Sequence, residues 1–161
     1  MWGESVISTA GEGDSVSLRG TEVTFKVSSD QAAGASCLEF AAAPGFDTGL
    51  HVHKKLEETF YVLEGEFELQ AGEVVRRGLP GTLMFVQPGV PHRFSNPTDL
   101  PAKLLLIMSP AAFDRYFIEL ADILARSGPP DSAAIAALRS KYDTQQLSSL
   151  EAGVEPQPAA T

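Results

Sequence analysis

Four side chains in this sequence have the types and the spacing to hold a metal ion. His51 and His53 are two residues apart, so on an extended strand, where side chains alternate, both imidazoles leave one face as a chelating pair. Glu58 lies five residues beyond His53, an odd offset that a straight strand would send to the opposite face. The run Lys54, Lys55, Leu56, Glu57 must therefore turn the chain, and a hairpin-like connection is expected there. His92 comes later, after the turn signal Gln87-Pro88-Gly89. Three neutral imidazoles and a carboxylate form a mixed N/O donor set suited to a divalent first-row ion, with positions left for water, oxygen or substrate. His51, His53, Glu58 and His92 are the proposed ligands of one divalent transition metal ion, and Fe, Mn, Ni, Co, Cu and Zn all suit them.

The elements that must place these residues read as short strands. Thr21–Val27 alternates, with Val23, Phe25 and Val27 on one face, and Ser36–Ala42 repeats the pattern with Leu38 and Phe40. Residues 59–63 are aromatic and β-branched, the composition of a buried strand, and end near the turn glycine Gly65. Phe60 and Val62 share the strand parity of Glu58, and Phe94 shares that of His92, so all three point toward the metal, as lining of a substrate pocket or as core packing. Residues 66–71 and 74–77 read as further strands, the second with a basic edge. Met84 and Phe85 lie on a strand whose inward face the turn at Pro88 leaves open. Residues 102–108 form a nearly continuous apolar run, expected to be buried on both faces. Short strands with frequent Gly and Pro turns indicate a closed or double-sheet all-β fold.

The pattern changes at Ser109-Pro110, which reads as a helix N-cap followed by proline at the first helical position. Phe113, Tyr116, Phe117, Leu120, Ile123 and Leu124 recur at helical spacing, so one face of that helix should pack on the strands. Gly128-Pro129-Pro130 breaks it, and Asp131 caps a second helix through about Tyr142, with Ile135, Leu138 and Tyr142 as a narrow apolar stripe. Residues 1–14 are polar and Gly-rich, with Trp2, Val6 and Ile7 able to dock on a neighbour.

Both histidine-bearing stretches resemble the motifs of the cupin family. Gly45, five residues, His51, one residue, His53, four residues, Glu58, six residues and Gly65 match its first motif, and the spacing to Gly65 selects Glu58 over Glu57. Gly81, Gly89, His92 and Asn96 match its second, with Gln87 where that motif has its first proline and Thr82 where an Asp often follows the opening glycine. The resemblance implies an all-β, cupin-type jelly-roll β-barrel with the metal inside and C-terminal α-helices packed on the outside. The chain then divides into an arm (1–14), a barrel (15–109), a helical extension (110–147) and a mobile tail (148–161). It also implies a metal-dependent enzyme acting on a small aromatic or enolisable molecule, foremost a quercetinase-like dioxygenase using O2. Glu58 would then be both ligand and catalytic base, and Phe60, Val62 and Phe94 would bind substrate. A metal-dependent isomerase, cyclase or lyase, or a non-enzymatic small-molecule-binding barrel, shares the same residues.

Composition narrows the partners. The 161 residues carry a formal charge of -9 without a block of Lys or Arg, so nucleic acid and anionic membrane are not expected partners. No apolar run approaches the roughly 20 residues that span a bilayer. One cysteine, Cys37, cannot form an internal disulfide and reads as a small buried residue; with no signal-like start, a cytoplasmic protein is expected. Exposed sheet edges and the apolar-tipped arm lead to a homodimer as the expected assembly. No phosphate-binding glycine loop opens a helix, and no GxSxG elbow or cysteine cluster occurs.

Overall fold

The structure, a computed structural model, describes residues 5–148. The expected docking of Trp2 and the expected mobile tail beyond Ser148 lie outside the described residues. In chain order the elements are β1 (Asp14–Leu18), β2 (Thr21–Val27), β3 (Ser36–Ala42), β4 (His51–His53), β5 (Glu57–Glu64), β6 (Phe67–Ala71) and β7 (Val74–Gly78). They continue with β8 (Leu83–Val86), β9 (His92–Ser95), β10 (Ala102–Ser109), a 3-10 turn (Ala111–Asp114), α1 (Arg115–Leu124), α2 (Ser132–Lys141) and β11 (Thr144–Gln146).

The strands form two antiparallel sheets. One has the order β1-β2-β3-β10-β5-β8 and the other β11-β4-β9-β6-β7. Alternation decides which side chains meet between them. Leu38, Phe40, Phe60, Val62, Leu104 and Leu106 of the larger sheet are no more than 1% exposed, and they face Phe67, Leu69 and Phe94 of the smaller one. Phe94 packs edge-on to Phe40 at 5.6 Å and lies 5.2 Å from Phe60, so one aromatic cluster bridges the sheets. Phe117 of α1 sits 5.1 Å from Phe40, which brings the first helix into the same core. This is the jelly-roll arrangement, with α1 laid against β1.

The turn from β5 to β6 depends on Gly65. Its φ is +73°, and a Cβ there would come within 2.9 Å of the Ala102 Cα. Only glycine combines that backbone conformation with that close approach.

Three expectations change. The strand β10 is buried on one face rather than two: Ile107 is 38% exposed and Leu105 half-buried. Their side chains continue outward rows, Leu105–Tyr61–Leu83 and Ile107–Thr59–Phe85, across the ladder. The helices pack elsewhere, α1 on β1 and the 3-10 turn on β3 and β10, so this outer face stays open among the described residues. Ser109 is not a helix cap. It ends β10 opposite Glu57, its hydroxyl donates to the Gly34 carbonyl at 2.8 Å, and α1 starts only at Arg115 after the 3-10 turn. Asp131 does cap α2, its carboxylate accepting from the Ala134 N–H at 3.0 Å. Finally, residues 144–146 form a strand that no periodicity announced. No helix of the described residues is long and apolar enough to cross a membrane.

Candidate metal centre

The two histidines of β4 leave one face of the smaller sheet, and His51 stands directly opposite His92 on β9. Their ring centroids are 4.3 Å apart, and His53 lies 5.1 Å from His51 and 5.3 Å from His92. Glu58 arrives from across the barrel. It projects inward from β5 of the larger sheet with the same parity as Phe60 and Val62. The connection through Lys54, Lys55 and Leu56 is therefore not a hairpin but a crossover between sheets, because β4 pairs with β11 and β9 while β5 pairs with β10 and β8. Buried Leu56 anchors the crossover. The four residues offer ligand atoms that all lie within 4.8 Å of one another.

The hydrogen bonds fix which ring nitrogens face inward. Each Nδ1 sits against a backbone carbonyl: His51 on Gly49 at 2.9 Å, His92 on Val90 at 3.0 Å and His53 on Asp143 at 3.2 Å. A carbonyl can only accept, so each Nδ1 carries a proton and each Nε2 is turned toward the centre. His92 Nε2 and Glu58 Oε2 are 2.6 Å apart, yet neither makes a well-directed hydrogen bond, and His53 Nε2 is 3.4 Å from the same oxygen. Lone pairs brought this close in a buried site repel unless a proton or a metal ion lies among them. The donor set fits a divalent ion on these grounds.

Burial shapes the charges further. It opposes ionisation of Glu58, but the imidazoles of His53 and His92 outweigh it and hold the carboxyl at about 2. Burial, then the neighbouring His92, lowers His51 to about 4, so this ring stays neutral at ordinary pH. In His92 burial also acts downward, but the Glu58 carboxylate prevails and raises it. His53, Glu58 and His92 are each under 5% exposed, whereas His51 is only half-buried, so the site opens on the His51 side.

Phe60 and Val62 are fully buried and Phe94 is 4% exposed. Phe60 lies 6.1 Å from the His92 ring, while Phe94 sits one layer deeper against Phe40, Phe46 and Phe67. Met84 faces inward opposite Phe60, and Phe85 faces out. Two contributors had no signal as site residues. Phe113, which the sequence places on a helix face, packs edge-on against His53 at 4.8 Å. Asp143, in a polar stretch, supplies the carbonyl that orients His53.

The cupin-domain profile matches residues 38–108, the span that holds all four ligand-type residues. The chain carries a cupin domain. Among solved structures, this cupin is similar to TT1209 from Thermus thermophilus, with 27% identity and a TM-score of 0.53 over 59% of this chain and 88% of that one. It is also similar to an RmlC-like cupin from Shewanella frigidimarina, at 22% identity and TM-score 0.61 over 71% and 99% of the two chains. KdgF from Halomonas sp. matches at 17% identity and TM-score 0.60 over 67% and 97%. The last two likenesses speak to the fold alone. No curated protein matches the cupin in sequence.

Proposed function

We propose that this cupin is a metal-dependent enzyme acting on a small aromatic or enolisable molecule, with dioxygen as co-substrate. The observation that carries the reading is the convergence of three imidazole Nε2 atoms and a carboxylate beside aromatic walls. His51, His53, Glu58 and His92 would hold a divalent ion, which would supply Lewis acidity toward an oxygen of the substrate. Glu58, ionised and buried, is placed to take the proton of an enol or phenol that enters from the His51 side. Its low proton affinity matches that task only if the substrate oxygen is acidified at the same time, which couples proton removal to binding. Phe60 and Phe113 keep water from the ring edges of His92 and His53, and Phe94 backs Phe60 at 5.2 Å with Val62 next along the same face of β5. Apolar walls of this kind favour a neutral, planar molecule over a sugar phosphate.

Oxygen uptake tests the proposal. Protein loaded in turn with Fe, Mn, Ni, Co or Cu is expected to consume oxygen with a member of a flavonol, diketone and catechol panel, and Glu58→Ala is expected to abolish it. Turnover of the same compounds under strict anaerobiosis would reassign the site to an isomerase or lyase. Binding without turnover in either gas would make the barrel a carrier or sensor.

A further inference from the structure

We propose that Asp143 is a positioning residue for the metal centre, holding His53 and the crossover to Glu58 in a single arrangement. The inference rests on the metal-binding reading above. It starts from a residue in an unusual backbone state: Asp143 lies between α2 and β11 with φ at +52°, a left-handed conformation that a non-glycine residue adopts uncommonly.

That conformation lets one residue grip the site at two points. Its backbone carbonyl accepts from His53 Nδ1, and its carboxylate Oδ2 accepts from the N–H groups of Lys54 at 2.8 Å and Lys55 at 2.7 Å. Those two N–H groups belong to the crossover that carries the chain from His53 to Glu58. In an exposed turn they would otherwise bond to water and leave the turn free to move. Bonds from N–H to an ionised carboxylate are among the stronger ones a turn can make. The lysine side chains are incidental to this role; the backbone is what Asp143 holds.

The neighbouring residues extend the grip along β4. Thr144 and Gln146 stand opposite His53 and His51 in the β11–β4 ladder. Thr144 Oγ1 lies 3.3 Å from His53 Nδ1 while donating to the Tyr142 carbonyl at 3.1 Å, so its free lone pair also faces the Nδ1 proton. The N–H groups of Leu147 and Ser148 both reach the Leu50 carbonyl, and the Ser148 hydroxyl accepts from the Leu50 N–H. From the other end, buried Leu138 fixes α2, and the Tyr142 ring lies 5.9 Å from Phe113, the ring that packs on His53. His53 is thus held through its ring nitrogen, its ring edge and its backbone by residues 113–148. Coupling of this kind is reciprocal: if the docked segment favours the metal-competent geometry, a bound ion favours the docked segment by the same factor.

The test uses the full chain in three forms, wild type, Asp143→Gly and Asp143→Asn, titrated with Co2+ and Zn2+ against a chromophoric chelator. Glycine takes positive φ without strain, so Asp143→Gly removes the carboxylate alone. Its metal affinity is expected to fall about 10- to 100-fold, as for other groups that orient ligands. The visible bands of the Co2+ form should shift, and Asp143→Asn, which keeps one acceptor oxygen, should recover part of both. Wild-type affinity and an unchanged Co2+ spectrum in Asp143→Gly, with only the melting temperature lowered, would overturn the proposal and leave Asp143 a structural cap. If wild type binds neither ion, the metal reading fails first and takes this inference with it, a result distinct from equal binding by all three forms. Should Asp143→Gly not fold, hydrogen exchange in wild type decides. Metal loading is expected to slow the amides of Lys54, Lys55 and Leu147 relative to those of β1, and unchanged exchange there would overturn the proposal.

Discussion

β4 and β5 both present ligand-type side chains to the same point, but they are held by different means. β5 has eight residues clamped between β10 and β8, with Phe60 and Val62 fully buried beneath it. β4 has three, paired with β11 on one side and with β9 at the single His51–His92 position on the other. The place of Glu58 is thus a property of the barrel core, fixed by burial that is non-directional and strong, about 1.5–3 kcal/mol for each large apolar side chain. The places of His51 and His53 depend on directional bonds from short segments distant in sequence. The site joins a rigid wall to a strapped one.

Removing the rigid wall's contribution should have the largest effect. Glu58→Ala is expected to reduce bound transition metal from about one ion per chain to near none by elemental analysis, because three neutral imidazoles remain and the only anionic donor is gone. Next, the two walls should separate stability from binding. Phe60→Ala should cost about 3–5 kcal/mol in urea denaturation. Gln146→Ala, which removes side-chain bonds to the Thr48 and Leu50 carbonyls beside β4, should cost only about 1 kcal/mol while weakening metal binding by a measurable factor. Equal losses of stability would erase the distinction. A chelator applied to protein saturated at about a hundred times Kd should lower stability by about 2.7 kcal/mol in thermal melts. Acid acts on the strapped wall through His51. His51 titrates near 4 in the folded chain against an ordinary 6.5, so between these values the unfolded chain binds more protons. His51 costs nothing above pH 6.5, but a destabilising penalty grows as pH falls from 6.5 toward 4, and metal-free protein should lose stability relative to His51→Gln across that window.

Much of the site was legible because its residues lie at short, regular spacings. His51 and His53 share a face by strand parity alone, and the odd offset to Glu58 correctly demanded a turn. What parity could not say was which sheet the chain enters after the turn, since a hairpin and a crossover both reverse the face. β11 was illegible for a different reason. Thr144, Gln145 and Gln146 have no apolar alternation, and they form a strand because β4 offers unpaired N–H and C=O groups along one edge. Ser109 had the chemistry of a cap but was claimed by the ladder opposite Glu57. Leu105 and Ile107 read as doubly buried because hydrophobicity reports what a residue favours, not what lies above it. Register settled Met84 and Phe85, which composition could not: Met84 stands opposite Phe60 and so shares its inward face.

Gly65 has a consequence for how sites of this kind are mapped. It closes the same motif that contains His51, His53 and Glu58, yet it sits past the far end of β5 from Glu58, pressed against Ala102. In a saturation-mutagenesis screen scored by activity, position 65 will be as intolerant as any ligand, because every side chain meets both the left-handed backbone and the β10 main chain. Scoring the same library by yield of folded, metal-free protein pulls the two apart: Gly65→Ala disappears from that pool while Glu58→Ala survives. A motif read as one chemical signature is then two messages written in a single line, one about an ion and one about a collision.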